Sequence, residues 1–73
     1  MTEEEFKKAF GKNIKSIRVQ KKLKQEVLAN NIGIAPTNLS RIENGKDFVK
    51  ASTIVSLCKI LEISPEELFK IQN

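Results

Sequence analysis

The stretch from Gln25 to Gly45, QEVLANNIGIAPTNLSRIENG, constrains the fold more than any other part of the chain. Leu28, Ile32, Ile34, Leu39 and Ile42 fall on one side of two short paired helices, not on alternate faces of a strand. Ala29 stands where the two helices approach most closely, so only a small side chain fits. Gly33 follows four residues later, where the chain must reverse and a positive φ is cheap only without a Cβ. Pro36 suits the first turn of the second helix, where its missing N–H costs nothing. Asn44 and Gly45 close that helix, glycine being the favoured residue just past a helix end.

Two short helices joined by a tight turn, with a polar face on the second, form the pattern of a helix-turn-helix. Its second helix enters the major groove of DNA. The spacing predicts three further helices around this unit. The first runs from about Thr2 to Lys21, with Phe6, Ala9, Phe10, Ile14 and Ile17 as its apolar stripe. Thr2 and Glu5 have the spacing of a capping box. Lys22, Leu23 and Lys24 connect it to the second helix, Gln25 to Asn31, with Leu23 turned into the core. The third runs from Pro36 to Glu43. The fourth runs from Ala51 to Leu61, with Ile54, Leu57, Cys58 and Leu61 on one face. The fifth runs from Pro65 to Ile71, with Ser64 as N-cap, Glu67 as its capping-box partner and Leu68 pointing inward. No segment alternates with period two, and no repeat or linker divides the chain. The expected class is all-α, one domain over residues 1–73.

Charge adds direction to that reading. The chain has 73 residues and a net charge of +4. From Lys7 to Lys24 there are eight lysines and arginines without one intervening acid, preceded by Glu3, Glu4 and Glu5. This order matches the helix dipole and also places cations near a DNA-reading helix. With no histidine there is no Ser-His-Asp triad, and with Cys58 alone there is no intrachain disulfide and no thiolate zinc site. The expectation is a non-enzyme without cofactor or metal. No apolar run suggests a signal peptide or a membrane span, so a cytoplasmic location is expected. Asn38-Leu39-Ser40 matches a glycosylation acceptor and is taken as a chance match. Cys58 is read as a small core residue.

From Phe10 to Leu68 the chain resembles the lambda-repressor/Cro-type (XRE) regulators. The residues that carry the resemblance are Ile14, Ile17, Arg18, Gln25, Leu28, Ala29, Ile32, Gly33, Ile34 and the run Leu39 to Gly45, then Leu61, Ile63, Ser64, Glu67 and Leu68. It implies a five-helix DNA-binding domain. It also implies that Arg18 and Glu43 form a structural salt bridge between helix one and the end of helix three, with Arg18 also near backbone phosphate. Gln25, at the start of helix two, would meet a phosphate through its side chain and backbone N–H. Pro36, Thr37 and Arg41 would face base edges. Pro36 can offer only apolar contact, whereas Arg41 has guanine O6 and N7 as natural bidentate partners. Lys24, Asn38, Ser40, Asn44 and Lys46 would sit at groove edges or on the backbone, with Gly45 in the same segment.

Four positions depart from the family pattern. Lys24 and Ala35 stand where Ser or Thr commonly caps helices two and three, a loss of about 0.5–2 kcal/mol each. Lys22 and Glu62 occupy turns where glycine is frequent.

The resemblance implies a regulator, with repression the favoured role, that acts as a homodimer on a palindromic operator. Phe48, Val49, Ile60, Phe69 and Ile71 either form the dimer surface or finish the monomer core. The alternatives are an antitoxin or other interaction module of the same fold, or a restriction-modification controller. No small-molecule ligand is expected, because so short a chain has no room for a sensing domain.

Overall fold

The structure, a computed structural model, describes residues 1–71. In that span it contains α1 (Glu3–Gln20), α2 (Gln25–Ile32), α3 (Pro36–Glu43), α4 (Ala51–Leu61) and α5 (Pro65–Leu68), with no strand among the described residues. The all-α expectation and the five-helix order hold. Phe10, Ile14, Leu28, Ala29, Leu39, Leu57, Leu61 and Leu68 are fully buried in one core. Leu23 packs against it from the α1–α2 connection.

Both capping boxes form. The Glu5 N–H donates to Thr2 Oγ1 at 3.1 Å, and the Thr2 N–H donates to Glu5 Oε1 at 2.8 Å. The second of these bonds holds the Glu5 carboxyl below its ordinary range. At α5 the Glu67 N–H donates to Ser64 Oγ at 3.2 Å, with the reciprocal bond from the Ser64 N–H at 3.5 Å. Ser64→Ala is expected to cost about 1 kcal/mol, read as a lower melting temperature.

The first four helices end by a shared device. One residue turns left-handed: Lys22 at φ 58°, Gly33 at 77°, Gly45 at 76° and Glu62 at 55°. The next N–H then reaches a carbonyl five residues back: Leu23 to Arg18, Ile34 to Ala29, Lys46 to Arg41 and Ile63 to Cys58, all at 2.9–3.1 Å. These bonds satisfy carbonyls that a helix end leaves open. Leu23, Ile34 and Ile63 are thereby turned onto the core. Lys22 and Glu62 adopt the same conformation with a Cβ, at a cost of roughly 1–2 kcal/mol each.

Helix five is shorter than the apolar spacing suggested. It stops at Leu68, short of Ile71, and Phe69 is its cap residue. The reason lies far away in sequence. Asn13 on α1 donates its side-chain amide to the carbonyls of Glu67 at 3.1 Å and Leu68 at 2.7 Å. Those carbonyls are satisfied without another helical turn. Phe69 instead lays its ring 4.9 Å from that of Phe10.

Phe10 is the hub of an aromatic cluster. Its centroid is 4.9 Å from that of Phe48, and Phe6 lies 5.7 Å from Phe48. Phe48 and Phe69 thus help finish the monomer core, yet keep 40% and 36% of their surface exposed. Val49, Ile60 and Ile71 are half-buried against the core. Cys58 is also half-buried, and burial pushes its thiol pKa up, which disfavours the reactive thiolate.

Gly11 sets the approach of α1 to α3. A Cβ there would fall inside contact with the Ile42 carbonyl oxygen and 2.7 Å from that of Glu43. At Gly45 a Cβ would stand 2.7 Å from Lys8 Cα. Backbone thus meets backbone on both sides of the α1–α3 crossing, and α3 is held close to α1.

Candidate nucleic-acid interface

Three side chains fix the position of α3. Arg18 donates from Nε to Glu43 Oε2 at 2.7 Å and from Nη2 to Glu43 Oε1 at 3.1 Å. Its Nη1 donates to the Leu23 carbonyl at 2.8 Å. Gln25 Nε2 adds a bond to Glu43 Oε1 at 2.9 Å. The Arg18 and Glu43 side chains are 11% and 1% exposed. The Glu43 carboxylate therefore joins α1, the start of α2 and the end of α3, and Arg18 extends the network to the α1–α2 connection. A bidentate guanidinium–carboxylate pair fixes angle as well as distance. No buried side-chain nitrogen or oxygen among the described residues lacks a partner.

This network bears on two residues that were expected near phosphate. Arg18 points inward and spends three of its five donors on Glu43 and Leu23. Gln25 commits one amide hydrogen to Glu43. Its second amide hydrogen, and its backbone N–H at the first position of α2, remain without an intrahelical partner. Lys24 and Ala35 supply no side-chain cap to α2 and α3. The start of α2 thus carries open N–H groups, the electrostatic condition for anion binding, whereas at α3 Pro36 has no N–H and that of Asn38 bonds to the Ala35 carbonyl at 2.9 Å, which leaves that of Thr37.

The outer side of α3 is polar. Leu39, Ile42 and Glu43 turn inward, whereas Thr37, Asn38 and Arg41 are exposed, with Asn44 beside them just past the helix end. Pro36 and Ser40 are half-buried at the margins of this face. Asn44 Nδ2 lies 3.5 Å from Ser40 Oγ. Lys24 and Lys46 are exposed at the two ends of the helix-turn-helix. A groove between α1 and the end of α3 is lined by Lys7, Lys8, Arg41, Asn44 and Lys46, with Glu3 and Glu4 among its walls.

Arg41 has a partner that sequence reasoning missed. Its Nε donates to Asp47 Oδ2 at 2.7 Å, and its Nη2 to Asp47 Oδ1 at 3.3 Å. The hydrogen bond from Arg41 holds the Asp47 carboxyl below the usual aspartate range, and Asp47 in turn raises the Arg41 guanidinium. The pair therefore persists above the ordinary aspartate range and is lost only as pH falls through the lowered value. An acid six residues after an arginine is a weak signal on its own. The left-handed turn at Gly45 is what folds it back.

Comparison with known proteins settles the family. Residues 11–72 match the model described as a helix-turn-helix domain. This chain belongs to the helix-turn-helix family. Among the relatives of this helix-turn-helix chain is the HTH-type transcriptional repressor RghR of Bacillus subtilis (strain 168), 39% identical over 61 residues. The antitoxin PezA of Streptococcus pneumoniae serotype 4 is 41% identical over 55 residues. The matched regions cover 82% and 75% of this chain but 45% and 35% of those two proteins, so the chain spans less than half the length of either. The restriction-modification controller protein C.AhdI from Aeromonas hydrophila superposes with a TM-score of 0.80 at 34% identity, over 85% of this chain and 94% of that one. These neighbours bear out the lambda-repressor/Cro-type resemblance and the five-helix fold. No described helix of the domain is long and apolar enough to cross a membrane, and no described cluster of acids or Cys58 could hold a metal ion.

Proposed function

We propose that this helix-turn-helix chain is a sequence-specific DNA-binding transcriptional regulator, most simply a repressor, acting in the cytoplasm without cofactor or metal. The observation that carries the reading is the exposed polar face of α3, held at a fixed angle by the buried Arg18–Glu43 pair. In this reading Pro36, Thr37 and Arg41 meet base edges. Gln25, Lys24, Asn38, Ser40, Asn44 and Lys46 meet groove edges and phosphates, aided by the open N–H groups at the start of α2.

One α3 can contact only a few base pairs, so useful specificity requires two copies on a near-palindromic operator. The half-sites would lie about one helical turn apart, roughly 34–36 Å. The exposed edges of Phe48 and Phe69 supply apolar surface for that dimer.

A second reading has one observation in its favour, the 41% identity to the antitoxin PezA. Under it, binding of a partner protein is the main task and DNA is secondary.

Selection of duplexes from a random pool separates the two. The proposal expects one sequence to be enriched, with two-fold symmetry. Arg41→Ala should then lose about tenfold of discrimination at one base pair while keeping weak, salt-sensitive binding to any duplex. Equal loss on selected and scrambled duplexes would make Arg41 a backbone contact.

A further inference from the structure

We propose that Asp47 is a positioning residue for Arg41, fixing the guanidinium so that its free edge presents two parallel donors to a guanine. The inference rests on Arg41 being a base reader.

A guanidinium has five N–H donors in a fixed planar fork. Asp47 occupies one edge of that fork, the Nε hydrogen and one Nη2 hydrogen. The opposite edge consists of the second Nη2 hydrogen and one Nη1 hydrogen. Arg41 makes no other side-chain hydrogen bond among the described residues. That remaining edge has the spacing that guanine O6 and N7 accept from arginine. The carboxylate therefore does not compete with a guanine for the same donors.

Asp47 is itself anchored to the residue it holds. The Arg41 carbonyl accepts from the Lys46 N–H at 2.9 Å and from the Asp47 N–H at 3.4 Å. The turn that allows this is left-handed at Gly45, which sits against the α1 backbone at Lys8. Carboxylate, turn and helix end form one unit. The Arg41 side chain is 55% exposed, so without Asp47 it would sample many rotamers. Ordering it in advance moves that entropy loss out of the binding step.

Charge makes a separate demand. Asp47 lies close enough to Lys7 for their charges to interact, and as an anion it repels phosphate. Its removal should therefore tighten binding to arbitrary DNA while loosening discrimination. A residue that merely supports the fold would not move the two in opposite directions.

The test uses the duplex enriched by the full chain and a second duplex changed at the base pair where R41A loses preference. The ratio of the two Kd values is measured for the unmodified protein, D47A, D47N, R41A and R41A/D47A. Melting curves check that each variant is folded. D47A and D47N should each lose on the order of tenfold in the ratio at that base pair and at no other. D47A should bind scrambled DNA more tightly at low salt, and should leave the ratio unchanged in the R41A background.

An unchanged ratio in both Asp47 variants overturns the proposal. So does an equal loss with and without Arg41, or a rise in the ratio, which would make Asp47 a competitor. If the protein enriches no sequence, the DNA-reading function fails and this inference fails with it. If a sequence is enriched but R41A retains every preference, the function stands and only the inference falls.

Discussion

Glu43→Ala is expected to lower stability by about 3–5 kcal/mol, as much as truncating a large core side chain. The alanine would leave the Arg18 guanidinium 11% exposed without its carboxylate, and would strip Gln25 Nε2 of its acceptor. A 73-residue domain has roughly 4–11 kcal/mol in total, at about 0.05–0.15 kcal/mol per residue. The variant should therefore lose at least about a quarter of that total, read as a markedly lower melting temperature.

Removing both charges is a different experiment. R18M/E43L exchanges a desolvated ion pair for apolar contacts of similar volume and should cost far less than the two single changes summed. Chemical denaturation of the four proteins gives the coupling directly. If the single changes cost under 1 kcal/mol, the pair is not buried in solution, and α3 is held by packing alone. The double variant has a functional use as well. It should fold yet lose the fixed angle of α3, so its discrimination between duplexes should fall more than its stability.

Gly11→Ala is the second large effect, expected at about 3 kcal/mol of destabilisation. Helix propensity argues the other way, since alanine is favoured over glycine inside a helix by about 0.5–1 kcal/mol. Sterics win because the new Cβ would press on the Ile42 and Glu43 carbonyls, which are backbone and cannot rotate away. Relief requires α3 to move off α1, and that movement also stretches the Arg18–Glu43 bond. A melting curve shifted upward would show that the α1–α3 crossing is looser than its geometry implies.

These two residues mark what was and was not legible in the sequence. Elements whose determinants lie within a few residues of one another were readable. Thr2 with Glu5, Ser64 with Glu67, Gly33 and Gly45 at their turns, and Pro36 at a helix start all act locally, and the helices begin or end where they indicate. The Arg18–Glu43 pair spans 25 residues and was expected only through the family resemblance.

Other long-range features had no such help. Gly11 reads as a weak spot in a helix until α3 is laid across it. Asn13 reads as an exposed polar residue, yet it ends α5 by capping carbonyls 54 and 55 residues away. Asp47 becomes informative only when the turn after α3 brings it back to Arg41. Phe48 and Phe69 read equally as dimer surface or core, and only the fold shows their rings packed on Phe10 with their outer edges in solvent.

The central claim is that the outer face of α3 reads base sequence. Fluorescence anisotropy tests it most directly, with the enriched duplex and a scrambled duplex of equal length, each titrated at low and moderate salt. The account predicts saturable binding to the enriched duplex that survives moderate salt and at least tenfold weaker binding to the scrambled one. Equal affinities for the two, both collapsing as salt rises, would contradict it.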